Sequence, residues 1–341
     1  MNGGITADKT KAARVPIGDN NSIFTGKPSS LELLEKFVPQ ERIEKSRAIT
    51  VKESASVAML GKAFEKAMAP QKSCGSAADY MQACACVEGL EYAARDVLEF
   101  SIALGKYQTH PRFEECAGLF LSALINKSSE KNFTVITEHL ENISELGYAN
   151  TKDVIVRGNC GKGFASRMES GRAEVFGDAG ESAGSGMKGG TVIIHGNTGD
   201  RPAADMHGGE LFINGNAGYT AGEGMEGGKL EIFGNSDWMP GLDMRGGIVI
   251  LHGNCPGNAG AFMKGGKMII RGSPGGNPGG NGFAGRIFLE KKPASLEGAG
   301  TWVFQKAGMI YVPINVPEKY VITGWVFGSG LSDWILGKWS K

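Results

Sequence analysis

From Asp153 onward, short apolar runs of about five residues alternate with glycine-rich polar stretches, and the alternation has a fixed step. Methionines stand at 168, 187, 206, 225, 244 and 263, a constant 19-residue interval. A second column at the same step is Gly158, Gly177, Gly196, Gly215, Gly234, Gly253 and Gly272, each followed by Asn or Asp until Ser273 ends the row. Five and seven positions after each methionine come Ala173, Val192, Leu211, Leu230, Val249, Met268 and then Val175, Ile194, Ile213, Ile232, Leu251, Ile270. Such a period marks stacked supersecondary units. Each unit has room for one strand (Thr191 to His195, for example) and no helix, which predicts a β-solenoid whose coils stack about 4.8 Å apart. The apolar columns then face inward with a methionine ladder on another wall, and the Gly-Asn column is expected to turn a corner in a left-handed conformation. Seven coils make a prism about 33 Å tall whose open ends need covers.

Upstream the period is helical. In SAADYMQACACVEGLEYAARDVLEFSIALGK, Tyr80, Cys84, Val87, Leu90, Ala94, Val97 and Phe100 fall at spacings of three and four, with Ser76 as N-cap and Gly105 as the stop. Two shorter helices are expected, from Pro111 to about Asn126 and from about Asn132 to Leu146 before Gly147. The chain thus divides into an extended arm over 1–30, a helical domain over 31–150, a right-handed parallel β-helix of about seven 19-residue coils over 151–290, and a clasping or docking tail over 291–341. The expected class is a two-part α+β chain, all-α first and solenoid second.

Composition changes this picture little. Fifty-three glycines are about twice the usual share, yet 41% of the 341 residues are apolar, so the glycines are structural. Lys plus Arg balances Asp plus Glu at 36 each, which gives no reason to expect nucleic acid or an anionic membrane as partner. The start MNGGITADKTKAARVP is polar and no apolar run approaches a membrane span. A cytoplasmic protein is expected.

The repeated G-x-G-M-x-G-G units, with the stretch DWMPGLDMRGGIVILHGN at 237–254, resemble the GXGXG family over about 150–290. Its members include the β-helix subunit of formylmethanofuran dehydrogenase, its bacterial formyltransferase/hydrolase counterpart and the C-terminal domain of the glutamate synthase large subunit. The resemblance implies a scaffold packed against other protein subunits of a one-carbon oxidoreductase or formyltransferase complex. Those partners would carry tungsten- or molybdenum-pterin, iron–sulfur clusters or flavin, and this chain would hold no cofactor. A glutamate-synthase-type module beside amidotransferase and flavin/iron–sulfur subunits is the alternative, and a stand-alone binding β-helix is a third reading. The helical block and the Trp-rich end depart from the family pattern.

No residue is assigned a catalytic, cofactor-binding or metal-binding role. GSGMKGG (184–190) and GEGMEGG (222–228) have dinucleotide-loop spacing, but a strand such as TVIIHGN follows where a βαβ unit needs a helix. GNCGKGFAS (158–166) lacks the Ser or Thr that a phosphate loop requires after its lysine. His195 and His252 share one outward column three coils apart, about 14 Å. Cys84 and Cys86, two apart on a helix, point to different faces, and a site shared with Cys74 stays unsupported. The informative positions are the outward ones. Six after each methionine come Glu174, Ile193, Phe212, Glu231, Ile250, Ile269, and eight after come Phe176, His195, Asn214, Phe233, His252, Arg271. A solvent-facing wall is expected to be polar, so the helices or a partner cover this one. Ile193, Phe212, Phe233, Ile250 and Ile269 are the candidate partner contacts, together with Trp325, Trp334 and Trp339 of the tail.

Overall fold

The computed structural model describes residues 54–70, 75–296, 301–307 and 310–315. The extended arm expected over 1–30, Cys74, Trp325, Trp334 and Trp339 lie outside these residues.

Among the described residues four helices come first: α1 (Ala55–Ala67), α2 (Ser76–Val87), α3 (Ala94–Ala103), prolonged by a 3-10 turn at Leu104–Tyr107, and α4 (Phe113–Lys127). The long helix expected from Ser76 to Gly105 is two, because Gly89 adopts φ +75° between α2 and α3, a conformation that no helix continues. Ser76 is the first helical residue, and Gly75 takes the cap position. Phe64 of α1 meets Phe100 of α3 and Phe120 of α4 at ring-centroid distances of 5.9 and 5.2 Å, an aromatic core that holds the three helices together.

Among the described residues eleven strands form one sheet in chain order. They are β1 (Asn132–Ile136), β2 (Asp153–Arg157), β3 (Arg172–Phe176), β4 (Thr191–Ile194), β5 (Glu210–Ile213), β6 (Lys229–Ile232), β7 (Ile248–Leu251), β8 (Lys264–Ile270), β9 (Ala284–Leu289), β10 (Trp302–Ala307) and β11 (Ile310–Pro313). Every step from β1 to β10 is parallel, and β11 returns antiparallel on β10. A 21-residue first coil (Asn132 to Asp153), seven 19-residue coils and a 16-residue last coil (Arg286 to Trp302) make a parallel solenoid of about nine turns, not seven. The two extra turns escape the 19-residue count because their lengths differ from it. The helix expected over 132–146 is likewise corrected: Asn132–Ile136 is a strand, with Phe133 and Val135 buried on one face and β-branched Thr134 and Val135 suited to the pleat.

Inside, Val192, Ile194, Leu211, Ile213, Leu230, Ile232 and all six ladder methionines are fully buried, each large aliphatic contributing roughly 1.5–3 kcal/mol. This core is continuous with that of the described helices, from Val57 to Val303. Ser101 of α3 makes the joint at the sheet edge: its hydroxyl accepts from the Ile136 amide at 3.1 Å and donates to the Leu98 carbonyl. Ser122 of α4 accepts from the amides of Gly147 and Tyr148 at 2.8 and 3.1 Å, securing the second layer.

The corners differ from expectation in one respect. Gly158 apart (φ +110°), the Gly-Asn residues do not supply the left-handed backbone; in each 19-residue coil it recurs at alternate positions of the turn that leads to the methionine, as at Arg201, Ala203 and Asp205 or Thr220, Gly222 and Gly224. Amides there point alternately to the previous and the next coil, as Gly222 to Pro202 and Gly224 to Leu242. The asparagines instead form a ladder in which each side-chain oxygen accepts from the amide one coil further on, such as Asn216 from Asn235 at 2.8 Å. Met-x-Gly-Gly has its own cause. A Cβ on Gly228 would lie 2.8 Å from the Met206 methyl and 2.7 Å from the Gly209 carbonyl oxygen, so the coil closes over the methionine only with glycine there.

Candidate functional site

The outward side of the strands is one continuous wall. Register stacks Ile155, Glu174, Ile193, Phe212, Glu231, Ile250, Ile269, Phe288 and Phe304 in a single column. Beside it run Phe176, His195, Asn214, Phe233, His252 and Arg271, at the ends of successive strands. All five described partner-contact candidates, Ile193, Phe212, Phe233, Ile250 and Ile269, lie on this wall; the first two and last two are half-buried among their neighbours, and Phe233 is 46% exposed. The expectation that the chain's own helices cover the wall is not met among the described residues, since they pack on the β1 end.

The wall also carries a pattern that single columns conceal. Arg172, Glu174, Phe176 and His195 recur as Lys229, Glu231, Phe233 and His252, three coils further on. Glu174 meets His195 at 2.8 Å and Arg172 at 2.8 Å; Glu231 meets His252 and Lys229, each at 2.7 Å. Phe176 stacks on His195 at 4.3 Å and Phe233 on His252 at 4.7 Å. Partial burial alone would raise both carboxyls, but the hydrogen bonds and charges of these neighbours outweigh it and hold them below the ordinary value. At His252 the tautomer follows from the partners. The Arg271 guanidinium only donates, so Nδ1 accepts at 3.1 Å and Nε2–H donates to Glu231.

Both ring nitrogens are therefore engaged, and no Ser or Cys nucleophile belongs to either group. Cys160 and Cys255 face the core, where burial pushes both thiols up, Cys255 to about 12. Cys86 is buried and Cys84 half-buried on α2, and among the described residues no group of three His, Cys, Asp or Glu side chains could hold a metal ion. Phe176 has His195 against it and Arg157 over the ring at 6.0 Å, so its exposed part is the edge. The wall offers apolar edges between locked polar pairs.

Two features escaped sequence reasoning. Tyr219 and Trp238, on adjacent coils, are 47% and 41% exposed at the opposite corner; their 19-residue spacing was the available signal. A cleft of about 870 Å³ opens between the first turn of α2 and the turn wall, lined by Lys162, Arg167, Ser182, Ser185 and Asp205. Glu145 occupies its floor, accepting from Ser76 at 3.0 Å and Ser166 at 2.5 Å. The glycine motifs are spent on stacking: Gly163 donates to Glu181, and Gly184 to Phe164, so these amides are not turned to a phosphate.

No protein-family model matches this chain, and no curated protein matches it in sequence. Among the described residues no helix is long and apolar enough to cross a membrane.

Proposed function

We propose that the chain is a non-catalytic scaffold subunit of a cytoplasmic multisubunit enzyme, held to its neighbours through the outward wall of the solenoid. The carrying observation is the column Ile193, Phe212, Ile250 and Ile269, with Phe176 and Phe233 beside it, on a face where solvent favours polar residues. Its G-x-G-M-x-G-G corners resemble those of the GXGXG family and favour an assembly of the formylmethanofuran dehydrogenase type. In that case the partner subunits bind tungsten- or molybdenum-pterin and perform the one-carbon chemistry, while this chain sets their spacing.

The test is purification of the tagged chain from its native source, with mass spectrometry of co-eluting chains and metal analysis. A large catalytic subunit with stoichiometric molybdenum or tungsten is expected. Flavin with iron–sulfur and glutamine-dependent activity would shift the assembly to the glutamate synthase type, and isolation as a free chain would overturn the scaffold reading. Replacing Phe212 and Ile250 by Ser should cut partner recovery about thirtyfold, the effect of losing a contact worth about 2 kcal/mol.

A further inference from the structure

On the turn wall of the solenoid, charges are matched from one coil to the next. Lys188 reaches Glu169 at 3.2 Å, His207 reaches Glu226 at 2.9 Å, and Arg245 bridges Glu226 and Asp243 at 3.0 and 3.3 Å. Lys162, Arg167 and Asp205 break this rule, since among the described residues none of their side chains has an ion-pair or hydrogen-bond partner. All three line the cleft of about 870 Å³ beside α2, a volume within the range of small-molecule sites.

Their arrangement follows from the 19-residue turn. Arg167, Gly186 and Asp205 occupy one position on three successive coils, where the Arg167 amide donates to the Ser185 carbonyl and the Gly186 amide to that of Ala204. Two coil steps, about 9.6 Å, separate the cation from the carboxylate, and the residue between them is glycine, so no side chain of that column fills the gap. Ser182 and Ser185 line the same cleft with hydroxyls that have no partner among the described residues. On the floor Glu145 is already engaged, accepting from Ser76 and Ser166. A simple anion would meet Lys162 and Arg167 but be opposed by Asp205 and Glu145, and a simple cation would face the reverse. Opposite charges held apart with room between them select a molecule that carries both.

We infer that the cleft binds a small zwitterion of the α-amino acid class, its carboxylate on Arg167 and Lys162 and its ammonium group on Asp205. A guanidinium is suited to the first contact because its fork matches a carboxylate. The site shares no residue with the outward wall, so the inference does not rest on the scaffold reading.

The experiment is calorimetric titration of the purified full-length chain with each standard α-amino acid in turn and with inorganic phosphate. For any amino acid that binds, the carboxylic acid lacking its amino group and the amine lacking its carboxyl are titrated as well. At least one amino acid should bind at millimolar concentration or below, with phosphate and both half-molecules weaker by about tenfold or more. Arg167→Gln and Asp205→Asn should each weaken that amino acid about tenfold, and Lys162→Gln severalfold, as a charged contact is lost. All three side chains are exposed, so the variants keep the fold, which circular dichroism checks. Binding of no amino acid, equal binding of phosphate or of either half-molecule, or unchanged affinity in the folded variants overturns the inference.

Discussion

Each strand of the solenoid has two faces that answer to different neighbours. Inward, Val192, Leu211, Leu230 and Val249 repeat nearly the same side chain at every coil, because each must fill the same cross-section above and below itself. Outward, Glu174, Ile193, Phe212 and Glu231 vary, and what recurs is a three-coil pattern of cation, carboxylate, phenylalanine and histidine joined by hydrogen bonds and stacking. Shape repeats coil by coil where packing rules; chemistry repeats at a longer step where solvent leaves the choice free.

The largest effect should come from breaking an inner corner. Gly228→Ala forces a Cβ into the Gly209 carbonyl and the Met206 methyl at φ +76°, which combines left-handed strain with overpacking and should cost about 4 kcal/mol. Gly89→Ala has the same kind of φ, +75°, with nothing within 4 Å, so it should cost only about 1 kcal/mol. Urea unfolding of the two variants measures the difference; equal losses would mean that conformation alone, and not the closed corner, selects glycine. Met206→Ala, which removes the methyl beneath that corner, should cost about 3 kcal/mol. Combined with Gly228→Ala it should cost less than the sum, since one of the clashing atoms is gone.

The two faces were unequally legible in the sequence. Inner columns could be read position by position because packing enforces a 19-residue turn. Strands β1 and β10 were missed because their coils, one 21-residue and one 16-residue, break that step; there the alternation of Phe133 and Val135 was the surviving signal. The outward apolar positions were visible as a departure from polarity. Their three-coil grouping was present too, in Glu174 with Phe176 and Glu231 with Phe233, but one-column reading divides each pair. The cleft under α2 had no local signature, since Ser76 and Glu145 meet from distant parts of the chain.

The smallest effect belongs to the wall itself. In Glu174→Gln with Glu231→Gln, the pairs with His195, Arg172, His252 and Lys229 lose their charge, and each pair is worth under about 1 kcal/mol. The pH dependence is sharper than the magnitude. Both carboxyls lie below their usual 4.5 in the folded chain, so their stabilisation is complete above that unfolded value and drains as pH falls through the folded ones. Unfolding free energy of the native chain should therefore decline more steeply than that of the double variant below about pH 4.5. Parallel curves would show that the repeated polar groups add nothing to folding, and would leave the apolar edges between them as the feature that gives the wall its purpose.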